Sequence, residues 1–287
     1  MSKENKSKKS GSVWRRFRRN KPAMVGLVIL TVLLLITVSA GFIVDYETQV
    51  IRNNARERLQ APSGGHLFGT DNVGRDVFAR VIYGGRYSLS IAFITTAVSM
   101  AFGAIVGSAC GYYGGLFDSI VMRIMDVLNS LPGMLLTLAI VAALGANYMN
   151  LLLAMIVSTL SGFVRLIRST VIALSDVEYI QAARSYGSSD FGIIIKHVMP
   201  NAMGVIIVNA AGSVSNMILA AAALSFLGFG VQPPLPEWGV MLSDAKTYMR
   251  QAPWCMIAPG VFIMLSALSI NLMGDGLRDA LDPRLKD

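Results

Sequence analysis

Long runs without a single charged residue constrain this chain more than any other feature of its sequence. The first, from Pro22 to Val44, is long enough by itself to cross a bilayer as a helix. Comparable runs occupy residues 87–117, 127–164, 203–228 and 255–274. Only 15% of all residues are charged, against about 25% in an average soluble domain. The pattern therefore predicts a polytopic membrane protein.

Six transmembrane helices in an all-α fold are the expected architecture. The run at 127–164 is too long for one span, and Gly and Asn residues interrupt it at 145–150. Pro132 and Gly133 should kink the helix before this interruption. The spans are expected at about residues 22–44, 89–112, 127–144, 151–164, 203–228 and 255–274.

The positive charges favour an orientation with both termini on the cytoplasmic side. Nine of the 25 lysines and arginines lie in the first 21 residues. With six spans, 17 of the 25 lie on the same side of the membrane as the N-terminus, and such an excess marks the cytoplasmic side. The net charge of +8 is therefore attributed to topology rather than to nucleic-acid binding. The expected division is a basic cytoplasmic tail at 1–21, a first span at 22–44, an extracytoplasmic loop at 45–87, a core of five spans at 88–274 and a cytoplasmic tail at 275–287.

The polar stretch at 175–201 predicts two short helices joined by a fixed bend. A capping-box spacing at 175–178 should start the first helix, and Gly187 can end it in a left-handed conformation. One of residues 188–190 can cap the second helix, which should stop before Pro200. Such an element can seat in a groove of a soluble partner. The alternative is an amphipathic connector that lies on the membrane.

Two sets of residues within the spans suggest faces with a special role. Gly103, Gly107 and Gly111 form a stripe that could line a pathway or serve plain helix packing. Polar side chains recur on one face of the fifth span and are candidates for lining a pathway, with interhelical hydrogen bonding as the alternative. They are Asn209, Ser213 and Asn216.

The 175–201 stretch also carries a family resemblance. Gln181-Ala182-Ala183-x-x-x-Gly187, followed thirteen residues later by Pro200, resembles the EAA loop of ABC importer permeases. The family's leading glutamate is Gln181 here, and its Ile and Leu before the proline are His197 and Met199. The spacing is intact, so the resemblance implies docking on an ATPase subunit. The residues assigned to this coupling are Glu178, Gln181, Ala182, Ala183, Gly187 and Pro200.

Further motifs resemble the oligopeptide, dipeptide and nickel permease group. Gly69-Thr70-Asp71-x-x-Gly74-Arg75-Asp76 looks like the group's signature, and Pro236-Glu237-Trp238-Gly239 looks like its last outer loop. Residues 271–279 match its C-terminus, and Arg19-Asn20-Lys21-Pro22 is similar to its opening. The resemblance covers nearly the whole chain and is greatest to the second, or C, subunit of dipeptide and oligopeptide systems.

This resemblance implies a type I ABC importer permease fold in a bacterial inner membrane. It implies a heterodimer with a second permease, two ATPase subunits, an extracytoplasmic substrate-binding protein and a di- or oligopeptide substrate. The sequence has no G-x-x-x-x-G-K-[ST] phosphate loop, so the partner subunits are expected to use ATP and magnesium. No catalysis, cofactor or metal is expected in this chain itself.

The outer loops supply candidates for docking the binding protein or gating the pathway. The same residues could instead form a satisfied turn network that fixes the entry of the chain into the membrane. They are Asp71, Arg75, Asp76, Glu237, Trp238 and Asp244.

Three other functions remain as alternatives. The first is import of nickel or another small solute, since the group shares these motifs. The second is a membrane-embedded enzyme, which His66 and His197 do not favour because both lie outside the spans. The third is a receptor or structural membrane subunit, which would not need the bent segment. Cys110 and Cys255 fall in apolar segments and are expected to form no disulfide.

Overall fold

The computed structural model describes residues 13–281, which fold as helices joined by short connections, with no β-strand among them. Residues 13–19 form a short helical segment before the first span. The remaining parts of the two expected tails, residues 1–12 and 282–287, lie outside the described residues.

Ten α-helices of 4 to 37 residues make up most of the chain between residues 21 and 281. They are α1 (Lys21–Ile43), α2 (Val77–Tyr113), α3 (Gly115–Asn129), α4 (Gly133–Leu144), α5 (Tyr148–Ser175), α6 (Glu178–Ser185), α7 (Asp190–Ile193), α8 (Met199–Phe226), α9 (Trp238–Ala245) and α10 (Trp254–Leu281). Short π-helical turns at Tyr46–Ile51 and Ile194–Val198 and a 3₁₀ turn at Ala55–Glu57 complete the described helical structure.

Side-chain caps fix the start of three spans. Asn20 Oδ1 accepts a hydrogen bond from Ala23 N at 3.1 Å and starts α1. Asp76 and Asn147 cap α2 and α5 in the same way. Gly145, with φ of +91°, ends α4 just before this last cap. The interruption expected at 145–150 is therefore confirmed but is shorter, since it covers 145–147 and α5 begins at Tyr148.

The spans agree with the expected six when one bent pair is taken as a single span. In the described chain, α1, α2, α5, α10 and the continuous helix at 190–226 are each long and apolar enough to cross a membrane. Helices α3 and α4 meet the same criteria only together and are bent by 82° at their junction. The expected kink at Pro132 is thus a full break between two helices.

The helix expected at 127–144 is therefore confirmed over 133–144 and wrong at its start, because residues 127–129 end the separate helix α3 and residues 130–132 form the break. Charged residues at 118–126 suggested a loop, but they lie on α3. Arg168 of α5 binds Asp118 through two nitrogens, each 2.5 Å from a carboxylate oxygen. Arg165 Nη2 donates to Asp126 Oδ1 at 2.6 Å. These ion pairs hold a charged helix against a span, which hydropathy alone does not reveal.

The glycine stripe is a packing surface between α2 and α5. A Cβ built on Gly107 would lie 2.6 Å from the Val164 carbonyl oxygen, and one on Gly111 would lie 2.7 Å from that of Arg168. A side chain at these positions would force the two backbones apart. Helix packing, rather than a pathway wall, therefore explains the stripe.

Helix α2 connects two opposite ends of the molecule. Its 37 residues would extend about 55 Å at 1.5 Å per residue, well beyond a hydrocarbon core of about 30 Å. It begins at Val77, twelve residues before the expected start at 89, because its first turns are polar and precede the apolar run. Its last turn lies near the 175–201 stretch, and both described chain ends lie at that same end.

Candidate functional site

Residues 175–201 form a bent helical element, called the coupling segment below. Its first helix, α6, starts at Glu178 after Val177, which makes no side-chain cap. The expected capping box is therefore wrong. Ser175 is the last residue of α5, and its hydroxyl donates to the Val171 carbonyl at 2.8 Å instead of capping α6.

The bend of the coupling segment is built as expected around Gly187. Its φ is +79°, and Gly187 N donates to Arg184 O while Ser188 N donates to Ala183 O. This pair of bonds is the Schellman pattern, which favours glycine at its left-handed position. Ser189 Oγ then accepts from Gly192 N at 3.2 Å and caps α7.

The second helix does not stop before Pro200, so that expectation is wrong. Helix α7 passes through the π-helical turn at 194–198 directly into α8, with Met199 N bonded to Ile194 O. Proline lacks an amide proton, and in a regular helix its ring clashes with the carbonyl four residues earlier. The wider turn relieves that conflict, and Pro200 lies in the first turn of α8.

The inner face of the coupling segment is anchored by apolar packing. Ile180, Ile193 and Val198 are each 0% exposed and belong to one cluster with Ile167 of α5 and Ile206 of α8. Burying each such side chain contributes about 1.5–3 kcal/mol. The segment is therefore held as a rigid part of the helix bundle.

The outer face of the same segment exposes large apolar side chains. Tyr186 is 91% exposed and Phe191 is 72% exposed, on either side of the bend. An exposed aromatic pair on a rigid support is typical of a contact surface. The residues assigned to coupling are all exposed on this element except Ala183, which is half-buried; they are Glu178, Gln181, Ala182, Gly187 and Pro200.

Tyr112 joins the end of α2 to the coupling segment. Its hydroxyl donates to Asp190 Oδ1 at 2.7 Å, and the Arg184 guanidinium lies 5.4 Å from the centre of its ring. Sequence reasoning missed this residue, since nothing in the α2 pattern distinguishes it from its neighbour Tyr113. The contact ties both short helices to the long span.

An open cleft of about 1350 Å³ runs along α8 and α5. The three candidates for lining a pathway all border it, as the sequence predicts for one helix face. Asn209 and Asn216 are exposed to the cleft, and Ser213 Oγ lies 3.5 Å from Thr96 Oγ1. Pro200 and Asn201, which end the coupling segment, border the same cleft.

The opposite wall of the cleft contains residues that sequence reasoning missed. Thr159 and Gly162 of α5 face the polar side chains of α8. The available signal was the polar run Ser158-Thr159-x-Ser161-Gly162 inside an apolar span. Arg16 and Arg278 border the cleft near the chain ends.

A buried polar network joins the start of α2 to α9 at the other end of the molecule. Asp71 is its centre, since Asp71 Oδ2 accepts from Arg75 Nε at 2.7 Å and lies 3.7 Å from Arg80 Nε. Asp71 Oδ1 accepts from the backbone amides of Val73 and Arg75. A second group of contacts, around Glu237, lies on the same two helices, and the two groups together are called the polar network below; its members are Asp71, Arg75, Arg80, Ser88, Glu237, Trp238 and Asp244.

Glu237 and Trp238 fix α9 against α2. Glu237 is 0% exposed; its Oε2 caps α9 by accepting from Val240 N, and its Oε1 accepts from Ser88 Oγ, both at 3.0 Å. Trp238 Nε1 donates to the Val81 carbonyl at 2.8 Å. Burial raises the pKa of the Glu237 carboxyl, although its hydrogen bonds act in the opposite direction.

The six candidates for docking or gating are therefore mostly inside the protein. Asp76 caps α2, and its Oδ2 lies 2.7 Å from His66 Nδ1. Asp244 retains 32% side-chain exposure and lies 3.9 Å from Arg75 Nη2. Burial raises the pKa of Asp244 as well. This geometry favours a satisfied turn network over direct contact with a partner, while an indirect role in gating stays a prediction.

Comparison with known proteins covers nearly the whole chain. The family model described as "Binding-protein-dependent transport system inner membrane component" matches residues 78–287. The model described as "N-terminal TM domain of oligopeptide transport permease C" matches residues 10–62. The first match alone includes the coupling segment, α9 and all of the cleft lining except Val13 and Arg16.

Named relatives are similar over almost their full length. The dipeptide transport system permease protein DppC of Alkalihalophilus pseudofirmus is 44% identical over 279 residues, covering 96% of this chain and 91% of the relative. The glutathione transport system permease protein GsiD of Pectobacterium atrosepticum is 40% identical over 273 residues, covering 95% and 90%. The GsiD protein of Escherichia coli gives the same identity and coverage.

Proposed function

The chain belongs to the family of inner-membrane components of binding-protein-dependent transport systems, and we propose that it forms half of the membrane pathway of a peptide importer. It is a multi-pass permease subunit of a peptide ABC importer. The other half is a second, similar permease. Two ATPase subunits bind at the end that carries the chain termini, on the cytoplasmic side, and a binding protein delivers peptide at the other end. ATP and magnesium act in the ATPase subunits, while this chain supplies no catalytic group or cofactor.

One observation carries the proposal: the coupling segment and the wall of the cleft share a continuous helix. Residues 190–226 run without a break from Phe191 at the exposed bend, past Pro200, to Asn209 and Asn216 in the cleft. The inner face of the segment is fixed by buried isoleucines, so the segment cannot move independently of α8. A push on the exposed face is therefore delivered to the cleft wall.

Alternating access follows from this continuity. Closure of the ATPase pair on ATP moves the coupling segments of both permeases, the helix bundles rock, and the cleft closes at the cytoplasmic end. The opposite end then opens to the binding protein. Hydrolysis and release of products reverse the movement.

The proposed substrate is a short peptide. The named relatives carry dipeptides and glutathione, which is itself a small peptide. The cleft presents amide and hydroxyl groups from Asn209, Asn216, Ser213 and Thr159, which can bond to peptide groups without a fixed side-chain preference. Selectivity among peptides then rests largely with the binding protein.

A competition experiment tests the substrate. Uptake of a labelled dipeptide is measured in cells that depend on the complete transporter, with unlabelled dipeptides, longer peptides or a nickel chelate as competitors. Competition by dipeptides is expected. Competition by the nickel chelate alone would replace the peptide assignment with metal import and leave the permease assignment intact.

A substitution at Gly187 tests coupling. Gly187→Glu places a bulky charge on the exposed bend and strains a backbone that needs positive φ, so peptide-stimulated ATPase activity and uptake should fall. Gly187→Asn is the matched control, because asparagine tolerates this conformation. Normal expression with unchanged ATPase stimulation and uptake in the Glu variant would contradict docking at this bend.

A further inference from the structure

A second concave surface lies outside the cleft, beside the N-terminal helical segment. An apolar groove of about 430 Å³ runs between this segment, α1 and α10. Its lining is entirely apolar and comprises Val13, Trp14, Phe17, Leu27, Met273 and Leu277. The pathway cleft is lined by a different set of residues and shares only Val13 with this groove.

The groove lies where a bilayer interface is expected. Leu27 is in the second turn of α1, close to the start of the span at Lys21. The Trp14 ring is 52% exposed and stacks on Phe17, with ring centroids 5.8 Å apart. Tryptophan prefers the level of lipid headgroups, since its ring is apolar and its N–H is polar. An exposed tryptophan beside the start of a span is typical of a surface at the level of the headgroups.

Exposed cations lie next in sequence to the residues that line the groove. Arg15, Arg18 and Arg19 are exposed on the same helical segment as Trp14, and Lys21 is exposed at the start of α1. Within residues 13–281, none of these four lies within 4.0 Å of a carboxylate oxygen. A segment that carries exposed cations and also lines an apolar groove is complementary to a ligand with an anionic head and an apolar chain.

We propose that the groove holds an acyl chain of an anionic phospholipid whose phosphate is bound by Arg15, Arg18 and Arg19. The lipid belongs to the leaflet on the side of the chain termini. It would fix the N-terminal segment against α1 and α10, where Phe17 already packs on Ala23 and Ala280. This site is independent of the peptide substrate and of the coupling segment.

Quenching of Trp14 fluorescence tests the site in the assembled transporter. The complex is placed in nanodiscs of phosphatidylcholine and phosphatidylglycerol at one fixed composition, with bromine carried by either lipid. The Trp14 contribution is obtained by subtracting the signal of a Trp14→Phe variant. Bromine on phosphatidylglycerol is expected to quench Trp14 several-fold more strongly than bromine on phosphatidylcholine.

Two pairs of variants separate the head and chain contacts. Replacing Arg15, Arg18 and Arg19 by Gln should lower the preference for phosphatidylglycerol about fivefold per cation until it disappears. The matched control replaces three exposed arginines elsewhere, Arg52, Arg56 and Arg250, and should keep the preference. Leu27→Phe fills the groove and should reduce quenching, whereas Val28→Phe on the exposed side of α1 should not.

Three results would overturn the proposal. Equal quenching by the two brominated lipids in the unmodified protein would exclude a selective headgroup site. An unchanged preference in the triple arginine variant would exclude these cations as the binding groups. Absence of Trp14 quenching by either lipid would mean that protein, such as the second permease, covers the groove. Peptide uptake is measured in parallel, and its outcome bears on the transport function alone.

Discussion

The two ends of α2 use charge and exposure in opposite ways. Near Asp76, most of the polar network is buried, and the Asp71 carboxylate contacts the guanidinium groups of Arg75 and Arg80. Near Tyr112, the coupling segment buries its isoleucines and exposes Tyr186 and Phe191. Groups with partners inside the chain serve the fold, whereas exposed aromatic groups on a rigid support are free to contact another molecule. Substitutions in the polar network should therefore lower the stability of the fold, whereas substitutions at the exposed bend should lower ATPase stimulation and uptake.

The largest effect on stability is expected from Asp71→Ala. The change leaves Arg75 and Arg80 buried without their shared carboxylate, which should cost about 3–5 kcal/mol of unfolding free energy. The measurement is thermal or denaturant unfolding of the purified protein in detergent. Asp176→Ala, in the exposed coupling segment, is the control and should unfold like the unmodified protein. Equal destabilisation by both variants would break the comparison between the two ends.

The converse effect is expected from changes at the exposed bend. Tyr186→Ser combined with Phe191→Ser should reduce ATPase stimulation and uptake at least about tenfold, since exposed aromatic anchors dominate many protein interfaces. Unfolding should not change, because neither side chain contributes to the core. Leu67→Ser with Met249→Ser removes exposed apolar groups elsewhere and serves as the control. Loss of stability in the aromatic variant, with coupling intact, would reverse the roles given to the two ends.

A pH effect on stability is expected from Glu237, which is completely buried, whereas Asp244, whose pKa burial also raises, stays partly exposed. Because burial raises the pKa of Glu237 above its ordinary value of about 4.5, the folded state binds its proton more tightly than the unfolded state. The stabilisation by this group is complete below pH 4.5 and is lost as pH rises through the folded pKa. In Glu237→Gln, the unfolding free energy should therefore fall less steeply above pH 4.5 than in the unmodified protein. Below pH 4.5, the variant should lose less than about 1 kcal/mol of unfolding free energy. An unchanged pH profile would exclude Glu237 as the group responsible.

The smallest effect is expected from Tyr112→Phe, which removes one hydroxyl between α2 and the coupling segment. The lost bond to Asp190 should lower local stability by about 0.5 kcal/mol, because the pair is exposed to solvent. Hydrogen exchange of the amides in α6 and α7 is the measurement, and they should exchange about twofold faster. Tyr113→Phe is the control. Faster exchange in the control as well would mean that the Tyr112 hydroxyl does not hold the segment.

Sequence reasoning located the spans because uncharged runs are a direct consequence of the bilayer as a solvent. It did not find helix ends that project beyond the apolar core, such as the first turns of α2. It placed Asp118 in a loop because the partner, Arg168, lies 50 residues away and becomes a neighbour only after folding. The spacing Gly103, Gly107 and Gly111 was visible, but only the contact with α5 decided between packing and pathway.

The candidate site was predictable to a similar extent. The left-handed Gly187 and the common face of Asn209, Ser213 and Asn216 follow from local rules, and the structure shows both. The continuation of the helix through Pro200 depends on a π-helical turn that no local pattern announces. The burial of Asp71 and Glu237 depends on α9 packing against α2, which is a tertiary contact. Motifs identified the important residues, while burial determined what each can do.

Sided thiol labelling tests the central claim, that the exposed bend faces the ATPase subunits in the cytoplasm. The native Cys110 and Cys255 are buried and unpaired, so single cysteines can be introduced at Tyr186 and Leu67 with low background. With a membrane-impermeant maleimide, Tyr186→Cys should react only in inside-out vesicles, and bound ATPase should protect it. Leu67→Cys should react only from outside in intact spheroplasts. Labelling of Tyr186→Cys from the outside would contradict the account.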